Sequence, residues 1–466
     1  MNTPRSNFPP TAEMQATDAA HHLHPFTHGD ALNAKGARII TRAEGAFLTD
    51  SDGNEILDGM AGLWCVNIGY GRDELAEAAA RQMRELPYYN TFFQTSHPPV
   101  IALAKRLADL APGDLDHVFF AGSGSEANDT NIRLARTYWA ARGKPEKRVI
   151  ISRKNAYHGS SVGAASLGGM QAMHGQGGLP IPDITHIDQP YWYGEGGDMD
   201  PEAFGRERAR QLEAEIHRLG EHNVAAFIAE PIQGAGGVII PPESYWPEIQ
   251  RICDAHDILL IADEVICGFG RTGAWFGSET YAIRPDIMTI AKGLSSGYQP
   301  IGGSMVTRHV AEVLNAHGEF YHGYTYSGHP VAAAVALENL RILEEDGIVE
   351  HVRDTAAPYL AEKWLQLADH PLVGEARVKG MLAAVELTPD KASRAPFAAP
   401  VGTVGLRTRD ICFQTGLVMR NVRDSMIVSP PLILDKPEID LLIERAVQAL
   451  DTAMKGLEAD GLMTVG

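Results

Sequence analysis

The chain has 466 residues, with 40 Lys and Arg against 59 Asp and Glu, so its formal net charge at pH 7 is −19. Hydrophobic residues make up 44 % and charged residues 21 %, a balance that is typical of globular proteins and argues against intrinsic disorder. Non-specific affinity for nucleic acids and anionic membranes depends on Lys and Arg, so we expect this acidic chain to bind neither.

Signals for export or membrane insertion are not apparent in the sequence. The first ten residues lack the apolar core of a signal peptide, and no apolar run approaches the roughly 18 residues that a membrane span needs. The cysteines are too few and too scattered for a disulfide framework or a zinc-binding CxxC pair. We therefore expect a reduced, cytoplasmic protein. The cysteines are Cys65, Cys253, Cys267 and Cys412.

The first 30 residues are polar, and we predict that they are irregular. They contain a His-rich run, residues 21–28. Histidine is a common metal ligand. No Cys or acidic cluster completes a metal site there, so the sequence predicts a solvated segment and no bound metal.

The middle of the chain alternates short apolar runs with helices. Short strands are predicted between residues 36 and 58, and helical periodicity follows at 73–86 and 99–110. The alternation predicts an α/β fold with a mainly parallel, seven-stranded sheet. Its strand candidates are 117–120, 148–152, 184–187, 225–229, 258–262, 286–290 and 303–306.

Beyond residue 331 a long helix is followed by mixed helices and strands, which predicts a smaller α+β domain. We predict three parts: an N-terminal segment at 1–75, a large domain at 76–330 and a C-terminal small domain at 331–466.

The first strand end with unusual chemistry is the small-residue sequence Gly122-Ser123-Gly124-Ser125 between a strand and a helix. Ligands of open α/β sheets bind beyond the carboxyl ends of strands. Glycines allow close backbone approach, and the helix N-terminus offers free N–H groups, so the pattern predicts a phosphate site. A relaxed dinucleotide fingerprint and a plain helix start capped by Ser125 fit the same residues.

Two further strand ends carry ionisable residues. Asp263 and Lys292 each follow a fully apolar strand. A buried carboxylate needs a partner, and a desolvated lysine has a lowered pKa that suits imine formation. Taken singly, Asp263 also fits a helix cap or structural ion pair, and Lys292 fits a lysine at the sheet rim.

Together the three strand ends match the requirements of pyridoxal 5′-phosphate. The phosphate needs an anion site, the pyridine nitrogen needs a carboxylate, and the aldehyde needs a lysine. A dinucleotide enzyme would need neither Asp263 nor Lys292.

At these residues the sequence resembles the fold-type I pyridoxal phosphate enzymes, specifically the ω-transaminase (amine–pyruvate) branch of the class III aminotransferases. The resemblance runs from about residue 58 to the end and implies a small domain formed by both chain ends. The motifs that carry it are Gly122-Ser123-Gly124-Ser125-Glu126, Tyr157-His158-Gly159, Glu230-Pro231-Ile232-Gln233-Gly234, Ala262-Asp263-Glu264-Val265, Ala291-Lys292-Gly293 and Tyr324-Thr325-Tyr326-Ser327-Gly328-His329-Pro330.

The resemblance implies a role for each matching residue. Lys292 would hold the cofactor as a Schiff base and Asp263 would pair with the pyridine nitrogen. Tyr157 and Val265 would cover the two ring faces, and Thr325 would reach the phosphate in the neighbouring subunit of a homodimer. The other implied cofactor contacts are Ser123, Gly124, Ser125, His158 and Glu230.

The implied substrate pocket has aromatic walls and a mobile arginine that holds a substrate carboxylate. Class III branches that use 4-aminobutyrate carry an Arg directly after the His-Gly pair, whereas Ser160 stands here. The substitution favours a monoacid acceptor such as pyruvate. The implied pocket residues are Trp64, Phe92, Phe93, Tyr157 and Arg420.

The predicted reaction is a ping-pong transamination in which a primary amine gives its amino group to the cofactor and pyruvate leaves as L-alanine. Putrescine or another polyamine, β-alanine and monoamines all fit as donors. Three alternatives stay open: a pyridoxal phosphate aminomutase, a nicotinamide dehydrogenase using the loop at 122–125, and a non-catalytic cofactor-binding protein.

Overall fold

The computed structural model describes residues 8–463, so Met1 to Asn7 of the predicted irregular segment lie outside the described residues. Within 8–463, no helix combines the length and apolar character that crossing a bilayer requires. The helices are α1 Thr11–His21, α2 Gly29–Lys35, α3 Ala61–Trp64, α4 Asp73–Glu85, α5 Pro98–Leu110, α6 Gly124–Ala141, α7 Val162–Leu167, α8 Gln171–His174, α9 Trp192–Glu195, α10 Pro201–Leu219, α11 Tyr245–Ala255, α12 Gly277–Thr280, α13 Arg308–His317, α14 Pro330–Glu345, α15 Ile348–His351, α16 Ala357–Leu365, α17 Thr403–Gln414 and α18 Lys436–Ala459.

The strands form three separate sheets of three, seven and four strands. Their bounds are β1 Ile40–Glu44, β2 Phe47–Asp50, β3 Glu55–Leu57, β4 Leu115–Ala121, β5 Val149–Arg153, β6 Ile184–Ile187, β7 Val224–Ala229, β8 Leu259–Asp263, β9 Ile287–Ile290, β10 Gly302–Thr307, β11 Val373–Lys379, β12 Leu382–Leu387, β13 Arg420–Val422 and β14 Ser425–Val428.

The seven-stranded sheet has the order β4-β10-β9-β8-β7-β5-β6. All neighbouring pairs are parallel except the two that involve β10, which runs antiparallel to β4 and β9. Every residue of β7, β8 and β9 is buried, because helices cover both faces of the sheet. The predicted α/β fold and the seven predicted strands are confirmed.

Two antiparallel sheets flank the central one. Strands β1 to β3 form one, and β11, β12, β14 and β13 form the other. Backbone hydrogen bonds join the two chain ends: Leu57 N–H donates to the Gly416 carbonyl at 2.8 Å, and Val418 N–H donates to the Leu57 carbonyl at 2.9 Å. This contact fits a small domain built from both ends, while the boundaries at 75 and 330 stay predictions.

The prediction that the first 30 residues are irregular is wrong for residues 11–21, which form α1, and for residues 29 and 30, which begin α2. Good helix formers such as Glu13, Met14 and Gln15 support the helix. No residue of α1 is buried and its apolar residues form no clear stripe, so hydrophobic periodicity could not reveal it.

Candidate active site

A cavity of about 290 Å³ opens at the carboxyl ends of the central strands. Asp263 is the last residue of β8, Lys292 follows β9, and β4 leads through residues 122 and 123 into α6, which begins at Gly124. The three strand ends singled out in the sequence therefore meet at one place. Other lining residues are Tyr157, His158, Gly159, Glu230, Val265, Ile266, Ala291, Ser295, Gly297, Gln299, Pro300 and Ile301.

Asp263 is buried and held by three donors. Its Oδ2 accepts from Asn128 Nδ2 at 2.8 Å and lies 2.7 Å from His158 Nδ1, while its Oδ1 accepts from the Val265 N–H at 3.1 Å. Asn128 and Asn131 connect this carboxylate to Thr289 on β9. Such a network fixes the carboxylate orientation, because each donor restricts a different lone pair.

Lys292 lies within the same cavity and is strained. Its φ of 48° falls in the left-handed region, which is costly for a non-glycine residue and occurs most often at functional sites. Burial lowers the pKa of its amine to about 8, although the nearby Asp263 acts in the opposite direction. The shift increases the neutral, nucleophilic fraction of the amine near neutral pH.

The loop before α6 forms a cradle of backbone and hydroxyl groups. Ser123, rather than Ser125, is the N-cap: its hydroxyl accepts from the Glu126 N–H at 3.2 Å. Ser125 Oγ accepts from the Ser160 N–H at 3.1 Å. A Cβ at Gly124 would come within 2.9 Å of the Val265 side chain, so only glycine leaves a gap between residue 124 and Val265. The N-terminus of the 18-residue α6 directs its dipole into the gap.

Glu230 and Tyr157 form one wall of the cavity. The buried Glu230 carboxylate accepts from the Tyr157 N–H at 3.1 Å and from the Gly234 N–H at 2.9 Å, so it positions the backbone that carries the tyrosine ring. Burial raises the pKa of Glu230. The Tyr157 hydroxyl lies 2.9 Å from the Ser160 hydroxyl.

Trp64 and Arg420 lie beside the lysine. The Trp64 ring has the Lys292 amine 5.1 Å from its centroid and the Arg420 guanidinium 4.8 Å from it. Burial lowers the pKa of Arg420, partly offset by Tyr157. Among residues 8–463 no hydrogen bond or carboxylate engages this guanidinium, so it is an inward-facing cation that still needs an anion.

Five predicted site residues are absent from the lining of this cavity. Trp64 and Arg420 lie beside Lys292, whereas the other three belong to another part of the surface. Phe92 and Phe93 line a separate cleft near Gly323, with the Phe93 side chain 87 % exposed. Thr325 is also exposed, and its carbonyl accepts from the Tyr88 hydroxyl at 2.6 Å. Within one chain, these residues therefore belong to a different surface.

Sequence reasoning missed two residues. Asn128 belongs to none of the motifs named above, yet it donates to Asp263 across 135 positions of sequence. Phe26, in the N-terminal segment, places its ring edge-on to Tyr157 with centroids 6.4 Å apart. Nothing in the sequence around Phe26 indicates this contact, because only the tertiary path of residues 22–28 brings the ring to Tyr157.

The sequence profile described as aminotransferase class-III matches residues 31–450, which is most of the chain. The chain belongs to the class III aminotransferases. The predicted family and enzyme class are confirmed, and the nicotinamide alternative is excluded by this membership. Pyridoxal phosphate is the cofactor of these aminotransferases, as predicted.

Three similar proteins extend the comparison. A putrescine–pyruvate aminotransferase from Pseudomonas aeruginosa is 63 % identical, over 95 % of this aminotransferase and 96 % of the relative. A thermostable (S)-enantioselective ω-transaminase from Thermomicrobium roseum superposes with a TM-score of 0.92 at 44 % identity. The match covers 95 % of this chain and 98 % of that one. The ω-transaminase from Pseudomonas jessenii in complex with PMP superposes with a TM-score of 0.93 at 42 % identity. The match covers 96 % of this chain and 99 % of that one. The predicted fold-type I architecture is confirmed.

The cavity of this aminotransferase suits its cofactor. An anion cradle, an oriented carboxylate and a buried amine surround a volume close to the lower bound of about 300 Å³ for small-molecule sites. The gap kept open by Gly124 is the one that a phosphate at the α6 N-terminus would use.

Proposed function

We propose that this aminotransferase moves an amino group from putrescine or a similar primary amine to pyruvate, giving an amino aldehyde, or a ketone from a branched amine, and L-alanine. The observation that carries the proposal is the Arg420 guanidinium, which has no ion-pair or hydrogen-bond partner among residues 8–463 and lies over the same Trp64 ring as the Lys292 amine. It supplies a site for a small acid next to the Trp64 ring. The 63 % identical putrescine–pyruvate aminotransferase supports both the donor and the acceptor.

When bound, pyridoxal 5′-phosphate supplies a ring that accepts the negative charge formed at the substrate carbon. The Lys292 amine, once free, removes the proton from that carbon and delivers it to the cofactor carbon that is bonded to the transferred nitrogen. Its lowered pKa, about 8, suits both steps, because more of the amine is neutral near neutral pH than in an ordinary lysine, while the protonated form is still available.

Asp263 holds a proton at the pyridine nitrogen. Its Oδ2 already accepts two hydrogen bonds, from Asn128 and His158, so Oδ1 retains a lone pair for that proton. The α6 N-terminus and Ser125 would bind the phosphate, and Tyr157 and Val265 would enclose the ring. These groups orient the reacting carbon towards Lys292 and exclude water from it.

Arg420 resolves a conflict between the two substrates. The amine brings an apolar or cationic chain, and pyruvate brings a carboxylate, to the same pocket. A guanidinium fixed inward would disfavour binding of the amine chain. A guanidinium fixed outward would leave the pyruvate carboxylate without its charged partner. Because no hydrogen bond or ion pair holds the charged group among the described residues, the long side chain is free to swing between the cavity and solvent.

Acceptor choice is the first test. Pyruvate should be favoured over 2-oxoglutarate by at least about tenfold in kcat/KM, equivalent to about 1.4 kcal/mol of transition-state free energy. The reason is that Ser160 has no guanidinium group to bind the second carboxylate of 2-oxoglutarate. Alanine and glutamate formed from each acceptor with putrescine measure the ratio. Equal kcat/KM for both acceptors would contradict the role given to Ser160.

The donor is tested in the same assay. Putrescine, β-alanine and a simple monoamine are compared at saturating pyruvate, scored by alanine. Putrescine is expected to give the highest kcat/KM. A higher kcat/KM for β-alanine would mean that putrescine is not the preferred donor, although the enzyme would still be an aminotransferase.

The proposal includes a homodimer that completes the site. Several large aromatic side chains around Thr325 are exposed, including Tyr88, Phe93, Tyr321 and Tyr326, at 38–87 %. Exposed aromatic clusters of this kind mark protein–protein interfaces. A second copy of the chain would bury them and bring Thr325, Phe92 and Phe93 to the neighbouring cavity. A cytoplasmic location also belongs to the proposal, supported by four cysteines that are all free.

Removal of the Thr325 hydroxyl tests the shared site. Thr325→Ala should weaken cofactor binding about 10- to 100-fold, because one charge-assisted hydrogen bond to phosphate is worth about 1.5–3 kcal/mol. Thr325→Ser, which keeps the hydroxyl, should bind normally, and the melting temperature of both apo-proteins should match the parent. Full activity of a monomer obtained by dilution would refute the shared site.

A further inference from the structure

The His-rich run has no part in the transamination described above, yet the fold gives it a partner. Asp18 lies on the last turn of α1, and His22 follows four residues later, where α1 ends. His24 lies in the turn beyond. The Asp18 carboxylate is 3.0 Å from His22 Nδ1 through one oxygen and 2.7 Å from His24 Nε2 through the other.

These three side chains converge on one point. One ligand atom from each lies within 4.8 Å of the others, and among residues 8–463 this is the single group of three His, Cys, Asp or Glu that does so. The two imidazole rings are 4.0 Å apart, tilted by 41°. Ligands at 2.0–2.2 Å around a tetrahedral zinc ion are roughly 3.4 Å from one another. Shifts of about an ångström in side chains at a surface turn would meet that geometry.

The surroundings of the group restrain two ligands and leave one side open. The Asp18 and His24 side chains are 18 % and 25 % exposed, so packing already holds them in place, whereas His22 is 57 % exposed. Two imidazoles and one carboxylate are borderline ligands that favour Zn²⁺ and its neighbours over Ca²⁺ or Mg²⁺. The open side leaves the fourth position to water.

The position of the group relates it to the cavity. Phe26 follows His24 by two residues, and its ring meets Tyr157, which forms the cavity wall. An ion joining Asp18 on α1 to His24 would fix the start of the segment that carries Phe26. A bound ion that orders this segment reduces the conformational entropy that the Phe26–Tyr157 contact must otherwise overcome.

We propose that Asp18, His22 and His24 form a binding site for a divalent transition-metal ion of the zinc type, which holds the segment at 22–28 against the active-site wall. The competing explanation is a purely structural cluster in which the two imidazoles hydrogen-bond to Asp18 at the end of α1. The two differ in whether Zn²⁺ binds stoichiometrically.

The test is calorimetric titration of ZnCl₂ into tag-free holoenzyme that has been treated with a chelator and dialysed. One Zn²⁺ per chain is expected. Loss of an outer-shell partner of a metal costs about 10- to 100-fold in affinity, so removal of two direct ligands in His22→Ala/His24→Ala should weaken binding by at least that much. Asp18→Asn should also weaken it. His21→Ala, which alters an exposed histidine next to the site, is the matched control and should bind as the parent does.

A second measurement separates site loss from misfolding. All four proteins should show the same metal-free melting temperature and transamination rate, since none of the altered residues contacts the cavity. Zn²⁺ should then slow proteolysis of the segment at 22–28 in the parent and in His21→Ala, but not in the double variant. Absence of stoichiometric binding by the parent, or equal binding by the double variant, would overturn the proposal.

Discussion

Lys292→Ala should abolish measurable transamination while the protein still binds pyridoxal phosphate. Loss of general acid–base transfer alone is expected to lower the rate by about 10²–10⁴-fold, and loss of the covalent link adds to this. The phosphate cradle at the α6 N-terminus and the Asp263 contact do not depend on the lysine, so the cofactor should remain bound non-covalently. Dialysis and absorbance measure the bound cofactor, and alanine formation measures the rate.

Borohydride reduction followed by peptide mass spectrometry provides the control. In the parent the reduced cofactor should label the peptide that contains Lys292. The buried Lys147, whose pKa is also lowered by burial, should stay unlabelled because its amine donates to the Asp257 carbonyl, outside the cavity. Labelling of a different lysine in the parent would refute the role assigned to Lys292.

Arg420→Ala should affect the two half-reactions unequally. The pyruvate half-reaction should slow by about 10- to 100-fold, because the carboxylate loses charge-assisted hydrogen bonds worth about 1.5–3 kcal/mol. The half-reaction of a carboxylate-free amine such as putrescine should be nearly unchanged, since that substrate gains nothing from a cation. Single-turnover absorbance changes of the cofactor measure each half separately.

Arg423→Ala is a matched control, because Arg423 is an exposed arginine three residues along, in the turn that joins β13 to β14. It removes the same charge from the same hairpin without removing a group from the cavity, and both half-reactions should keep their rates. Equal slowing of both halves by Arg420→Ala would mean that Arg420 supports the fold or cofactor, and the switch between substrates would have to be abandoned.

The fold was largely predictable because apolar runs separated by helical segments indicate buried parallel strands. All seven central strands were found within one or two residues. Strand order and the antiparallel direction of β10 were not predicted, since they depend on which faces pack together rather than on local pattern. Helix α1 was missed for the related reason that it buries no face.

The chemistry at the strand ends was predictable because a Lys or Asp after an apolar run is unusual. The contacts that orient those groups were not. Asn128 reaches Asp263 across 135 positions, and Phe26 reaches Tyr157 across a similar distance in sequence. A single sequence read by itself does not show which residues that are distant along the chain contact each other. The roles of Thr325, Phe92 and Phe93 depend on a second chain and stay predictions.

The most direct test of amine–pyruvate transamination is a stepwise titration of the purified, cofactor-loaded enzyme, followed by absorbance. Putrescine alone should bleach the yellow cofactor completely, with no acceptor present. After the amine is removed, one equivalent of pyruvate per site should restore the colour and release one equivalent of L-alanine. An enzyme that keeps its colour with putrescine, or that needs both substrates present together before any change occurs, would contradict the account.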